Sequence, residues 1–453
     1  MSTSRASVAN ALAAALLDGE WKSVTTLAGR GARALGVSQR RLGAVAGDVL
    51  AAYREPPLDR RRELSSYLLE LPSFHVLWEG PGRPPIVQRH RLPLADMGRA
   101  RWPVPTIATS LELASWAEED LSVLDWYADV RSLERSAAPK LRHYDREWRY
   151  NRRGGVRLLE RPRSRIKGLQ RRVLREMLDV VPAHGAAHGF VAGRSVVSFV
   201  TPHVGRDVVV RLDLTACFAS ITAPRVFGVF RMLGYPEAVA HTLTGLSTTV
   251  VPRDVLRSAP QALRNEDLDA RRWLLTRLAE PHLPQGSPTS PALANLVLFH
   301  LDARLSGLAA AAGASYSRYA DDLAFSLDGT DAVRRAKRLV ASARSVVADE
   351  RLRLNDAKTS ITRRSQRQVL CGVVVNDKPA VERRRRESLR AALHNIRQHG
   401  PESQNRAGHE DFRAHLLGEI AWVSAVNPDH GERLRSEFAQ ITWSELGPGA
   451  SQP

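Results

Sequence analysis

Residues 317–326 read SRYADDLAFS, with Asp321 and Asp322 adjacent between runs whose composition suits strands. Like charges side by side repel, and an isolated acid pair is ordinarily a solvated turn. A third acid, Asp213, closes the β-branched run DVVVRLD. If the strands carrying these acids are neighbours, their carboxylates converge, and converging carboxylates in a basic chain need cations to neutralise them. Mg²⁺, with Mn²⁺ as its substitute, is the hard ion suited to such oxygen ligands. Two such ions about 4 Å apart activate an attacking hydroxyl and stabilise a departing pyrophosphate. The chemistry expected of Asp213, Asp321 and Asp322 is metal-assisted transfer to a phosphorus centre.

The elements that must hold these acids follow from periodicity. Residues 207–213 read as a buried strand with a helix after it, 290–312 as one long apolar helix, and SYSRYADDLAFSLDG as a hairpin. An amphipathic helix is expected over 332–352 and a further strand over 369–376. Strand, helix, long helix, hairpin, helix, strand is an α+β order, with a small antiparallel sheet backed by helices. Upstream, Gly154-Gly155 marks a turn between two strand-like runs, and Gln170 onward is helical. Residues 249–280 are polar and read as an insertion. Residues 107–135 have helical spacing, and their aromatics are core candidates.

The chain has 453 residues, with 66 Lys and Arg against 48 Asp and Glu, a formal net charge of +18. That excess points to a polyanionic partner, nucleic acid above all. Cys217 and Cys371 are the two cysteines. They exclude a disulfide framework and a zinc cluster, and they suit the reducing cytoplasm. The apolar stretch ANALAAALL near the start is too short to span a membrane and is expected to form an amphipathic helix. No internal repeat is evident.

A lone Tyr-x-Asp-Asp is weak evidence, but its neighbours come in a telling order. RLDLTACFASI (211–221), LPQGSPTSPALANLVL (283–298), YADD (319–322), LRLNDAKTSI (352–361) and VLCGVVVN (369–376) together resemble the catalytic blocks of reverse transcriptases. RLLERPRSRIKGLQRRVL (157–174) and AHGFVAGRSV (187–196) are similar to that family's finger blocks. The resemblance spans about residues 140–430. It implies a right-hand polymerase fold: fingers, a palm with a small antiparallel sheet, and a helical thumb. Its divisions would be a helical N-terminal extension (1–78), a Pro/Arg-rich linker (79–106), fingers and palm (107–380), a thumb (381–446) and a disordered tail (447–453).

The resemblance also implies roles. Asp213, Asp321 and Asp322 would ligate metal, with Asp322 the lesser ligand, and Lys358 would neutralise or protonate the pyrophosphate. Phe218 would be the gate against a ribonucleotide 2′-hydroxyl. Gln285, Gly286, Ser287 and Tyr319 would position template and incoming nucleotide. Arg163, Arg165, Lys167, Arg194 and Ser195 would face triphosphate or template. Cys371 and Gly372 would grip the primer end. Arg383, Arg384, Arg385, Arg386, Arg390 and Arg397 would contact RNA from the thumb.

Two segments point to the retron subgroup. CGVVVN with the helix after it resembles the Val-Thr-Gly-Leu-Val-Val-Asn block, with Leu370-Cys371 replacing Val-Thr. SFVTPHVGRDVVV resembles an Asn-Ala-x-x-His segment, of which His203 remains. A retron enzyme implies a cognate structured non-coding RNA as template, deoxynucleotides as substrates, single-stranded DNA as product, 2′-hydroxyl priming, and an effector protein in antiphage defence. Three other readings compete. A group II intron-like or other defence-associated reverse transcriptase would keep the chemistry and change the biology, though intron enzymes often add a nuclease with Cys/His metal motifs that two cysteines do not supply. A non-catalytic RNA-binding protein would have no use for the intact acids. A generic metal-dependent nuclease would leave Gln285-Gly286 and Lys358 unexplained.

Overall fold

A computed structural model describes residues 4–57, 60–81, 84–88, 96–150, 154–441 and 443. Five helices open the chain: Arg5–Leu17, Val24–Leu35, Gln39–Ala52, Arg61–Glu70 and Pro72–Glu79. They enclose a core of their own around Leu12, Leu27, Val49, Leu64 and Phe74. The first helix is not the amphipathic one expected. Eight of its residues, from Val8 to Leu17, are buried, because its alanines admit neighbouring helices on several sides. In the expected linker, residues 84–88 and 96–106 form neither helix nor strand. Ile86 and Gln88 donate their backbone amides to the carbonyls of Leu35 and Ala34. Residues 82, 83 and 89–95, and the expected tail 447–453, lie outside the described residues.

A hairpin of β1 (Tyr144–Tyr150) and β2 (Val156–Pro162) comes next, the two runs expected on either side of Gly154-Gly155. The central sheet is antiparallel. Its strands are β3 (Val208–Asp213), β4 (Ser315–Tyr319), β5 (Asp322–Leu327) and β6 (Ser360–Arg363), in the order β4-β5-β3-β6. Strand alternation sorts its two faces. Val210, Leu212, Leu323 and Phe325 enter the large core with helices Ala223–Met232, Ser290–Val297 and Ala332–Asp349. Val209 and Ala324 face a second core with Phe199, Val373, Leu393 and Ile420.

Two expectations are corrected. The long helix over 290–312 is two, Ser290–Val297 and Phe299–Ala311, parted at Leu298 where ψ is 1°. No Pro or Gly announces that break. The strand expected over 369–376 is a tight hairpin, β7 (Val369–Leu370) and β8 (Val373–Val374), joined by β9 (Ala380–Val381). Cys371 and Gly372, at φ +45° and +80°, turn the chain between them. The C-terminal helices are Arg383–His399, Phe412–Val426 and Pro428–Ala439.

Candidate active site

Register brings the acids together. Asp213 at the end of β3 stands directly opposite Asp322 at the start of β5, and Tyr319 at the end of β4 stands opposite Asp322 on its other side. The three share one sheet face. Asp321 occupies the turn, after Ala320 at φ +54°. Its carbonyl accepts from Leu214 N at 2.9 Å, which ties the turn to the chain leaving β3.

The acids do not share one environment. Asp213 is 3 % exposed, and its Oδ1 accepts from Lys358 Nζ at 2.7 Å. Burial raises its carboxyl above the ordinary value, against the pull of that ammonium. Asp321 is pushed up to about 6, by burial first and then by the charges of Asp213 and Asp322. Asp322 is already held. Its Oδ1 accepts from Arg211 Nε at 2.9 Å and Nη2 at 2.7 Å, and the Cys371 thiol lies 3.4 Å from its Oδ2. Burial raises the Cys371 thiol.

Beneath the turn lies an ion pair. Arg318 and Asp302 are both fully buried, joined at 2.8 and 2.6 Å. The same guanidinium donates to Asn295 Oδ1 at 2.9 Å and to the carbonyl of Ala320 at 3.1 Å. Tyr316 donates its hydroxyl to Asp302 at 2.8 Å. A buried bidentate pair of this kind fixes geometry wherever its partners are attached.

A cavity of about 250 Å³ opens beside Asp213 and Asp321, lined by Arg157, Glu160, Phe218, Gln285 and Lys358. Glu160 N donates to the Gln285 carbonyl at 2.9 Å, so β2 forms one wall. Gly286, at φ +133°, permits that approach. A Cβ there would lie 2.8 Å from the Glu160 carbonyl oxygen. A buried network backs the same wall: Arg146 bonds Glu134 and Glu160, and His282 bonds Glu160. Ser287 is buried, its hydroxyl 3.0 Å from that of Thr289.

The remaining expected site residues sit elsewhere. Arg163 bonds Asp145 and the carbonyls of Lys140 and Pro139, and Arg165 bonds Glu119. Lys167 is half-buried on helix Ser164–Val173. Arg194 turns inward onto the carbonyls of His184, Gly185 and Ala187. Ser195 caps helix Val196–Val200 through a reciprocal bond with Ser198. In the C-terminal helices Arg383 pairs with Glu387, Arg385 with Glu419, Arg390 with Glu437 and Arg397 with Gln440. Arg386 lies 3.3 Å from His430, and Arg384 lines an open surface hollow.

Among the described residues no three carboxylate, imidazole or thiol groups converge as a ready-made metal cage. That arrangement suits Mg²⁺, which takes one or two carboxylates and completes its shell with water and substrate phosphate. Asp213 already attracts a cation, the Lys358 ammonium. Asp321 is held in a repulsive field that a cation would relieve. The donor set fits.

Comparison with known proteins identifies the family. Residues 146–375 match the family model described as reverse transcriptase (RNA-dependent DNA polymerase). The chain is 40% identical to the retron Mx65 reverse transcriptase of Myxococcus xanthus over 335 residues, 74% of this chain and 72% of that one. The chain belongs to the retron-type reverse transcriptases. Similarity extends to the retron Mx162 enzyme of M. xanthus, at 36% identity over 71% of this chain and 64% of the relative. It extends also to the retron Ec86 enzyme of Escherichia coli, at 33% over 63% and 77%. The reverse transcriptase is therefore an RNA-directed DNA polymerase, and its family implies the right-hand polymerase fold.

Sequence reasoning missed several residues of this site. Arg211 and Arg318 are charges inside strands otherwise apolar or small, a signal of a buried partner close by. Arg157 was legible only as part of a basic run. Asn295 and Asp302 lie in an apolar helical stretch, where a polar residue facing the core asks for a partner.

Proposed function

We propose that this reverse transcriptase copies part of a cognate structured non-coding RNA into single-stranded DNA, starting from the 2′-hydroxyl of an internal guanosine in that RNA. The observation that carries the reading is that Asp213 and Asp321 line one cavity together with β2, Phe218 and Gln285. In this reading the cavity receives the deoxynucleoside triphosphate. Asp213 and Asp321 would hold two Mg²⁺ ions, with Asp322, bonded by Arg211, as a weaker ligand. When bound, the metals supply Lewis-acid stabilisation at the attacking and leaving oxygens.

The chain's own residues do the rest. Asp213 and Asp321 must be ionised, and Lys358 moves its ammonium from Asp213 toward the departing pyrophosphate. Phe218 at the cavity wall excludes a 2′-hydroxyl. Gln285, Gly286 and Ser287 fix nucleotide and template through their seam with β2. Arg157 supplies a cation at the cavity rim. Cys371 and Gly372 meet the primer end, and Tyr319, expected with nucleotide and template, is assigned to the primer end with them because it does not line the cavity. Arg163, Arg165 and Lys167 offer charge to triphosphate or template, and Arg194 and Ser195 shape the finger loop beside them.

The division into extension (1–78), linker (79–106), fingers and palm (107–380), thumb (381–446) and tail (447–453) belongs to the same reading. So does the contact of Arg383, Arg384, Arg385, Arg386, Arg390 and Arg397 with the A-form duplex, through shape and backbone. The product serves antiphage defence with an effector protein in the cytoplasm. No helix among the described residues is long and apolar enough to cross a membrane.

The test is to express the gene with its native flanks, purify the protein and resolve its bound nucleic acid after RNase, DNase and debranching treatments. A discrete DNA species that shifts on debranching, and is lost when Asp321→Asn and Asp322→Asn are combined, is expected. DNA of heterogeneous length without a branch would contradict the priming and template assignment.

A further inference from the structure

The loop from His184 to Arg194 is bound closely to the acidic turn. His188 N donates to the Arg318 carbonyl at 2.7 Å, and the Asn295 amide donates to the Gly189 carbonyl at 2.9 Å. A Cβ at Gly189 would lie 2.6 Å from Ala320 N. On this fixed loop Phe190 adopts φ +57°, a conformation a bulky side chain rarely takes. It is nevertheless 62% exposed. Its ring centre lies 6.4 Å from that of Tyr319, with the planes tilted by 36°. Burial does not explain this placement, since most of the residue faces solvent. A bulky residue held in a strained backbone conformation on a rigid support points to a functional role for that ring.

Its position relative to the cavity identifies what it meets. The cavity lies beyond Asp213 and Asp321 toward Phe218 and Gln285, and neither Phe190 nor Tyr319 lines it. Tyr319 shares its sheet face with Asp322 and packs against the same core as Cys371. In phosphoryl transfer the attacking and leaving oxygens lie roughly in line on opposite sides of phosphorus. With the triphosphate in the cavity, the strand end bearing the attacking hydroxyl comes from the Tyr319 side.

We propose that Phe190 and Tyr319 form an aromatic seat for the base pair at the growing end of the DNA, and that Phe190 thereby positions the 3′-hydroxyl at Asp213 and Asp321. This rests on the placement of the incoming nucleotide in the cavity. Stacking on an aromatic ring tolerates any base, which a moving polymerase site requires.

Phe190→Gly removes the ring and relieves the left-handed backbone, so its fold is expected to be as stable as the wild type or more so. With a DNA primer annealed to an RNA template, its dissociation constant should rise about tenfold, while KM for the deoxynucleotide stays within twofold. Phe190→Tyr should restore binding and Phe190→Leu should recover part of it. Phe218→Ala, which alters the cavity, should instead change KM for deoxynucleotides or discrimination against ribonucleotides. If Phe218→Ala changes neither, the cavity assignment fails. The seat itself is overturned if Phe190→Gly binds primer–template like the wild type, changes only the nucleotide KM, or melts markedly earlier.

Discussion

Two regions of the enzyme are dense in charge and handle it oppositely. At the β4–β5 turn, Arg318 is fully buried and its guanidinium is used by Asp302, Asn295 and the Ala320 carbonyl. On helix Arg383–His399, the side chains of Arg383 and Arg390 are 82% and 74% exposed, each beside a single glutamate. Exposed pairs of that kind contribute little and exchange readily with other partners. Buried pairs are costly to break and hold one geometry. The first suits a turn whose carboxylates must stand at fixed places. The second suits a surface whose partners exchange, as the proposed duplex contact would require.

The sharpest way to break the comparison is at the acids. Asp213→Asn and Asp321→Asn are each expected to slow RNA-templated primer extension on the order of a thousand-fold, about 4 kcal/mol of transition-state stabilisation. Either variant extending within tenfold of the wild type would remove that residue from the centre. Next comes the support. Arg318→Met leaves Asp302 buried without a counter-charge, bonded only by the Tyr316 hydroxyl among its described partners, which should cost about 3–5 kcal/mol in denaturant unfolding. Adding Asp302→Leu should recover much of that loss. Failure to recover would shift the weight to the bonds of Arg318 with Ala320 and Asn295.

A smaller effect concerns pH. The Asp321 carboxyl, at about 6 in the fold against an ordinary 3.8, is favoured protonated by folding. Metal-free stability should therefore fall as pH rises from about 4 to about 6, by about 1–2 kcal/mol given partial exposure. Asp321→Asn should remove that loss, seen as a narrower difference between unfolding midpoints at pH 4.5 and 7.5. An unchanged difference would contradict the raised value. The smallest effects belong to the helix. Arg383→Ala and Arg390→Ala should alter stability by no more than about 0.5 kcal/mol. Each should reduce the slope of duplex affinity against salt by about one. A loss comparable to Arg318→Met would erase the contrast.

Much of the acidic centre was legible in the sequence because its parts are local. VVVRLD and SRYADDLAFS announce strands that end in acids, and alternation decides which faces meet. The partners were not legible. Asp302 lies 16 residues from Arg318 on another element, and Asp322 meets Arg211 from 111 residues away. Such pairs are set by packing, which a periodic pattern does not encode. The finger residues show the converse. Arg194 and Ser195 lie in a recognisable block, yet their bonds are to a loop's carbonyls and a helix end. A motif fixes which residues are together, not which of them point outward. The helix expected to be amphipathic was misread for a related reason: alanine suits a solvent face and a close helix contact alike.

The adjacent acids differ in their partners: Asp322 is held by Arg211, and Asp321 is the one proposed to take metal. The most direct test is single-turnover addition of one deoxynucleotide to a DNA primer on an RNA template, comparing Asp321→Asn with Asp322→Asn across Mg²⁺ concentrations. Asp321→Asn should give no product above background at any Mg²⁺ concentration. Asp322→Asn should retain slower extension with a raised Mg²⁺ requirement. Equal losses, or a greater loss at Asp322, would contradict the division.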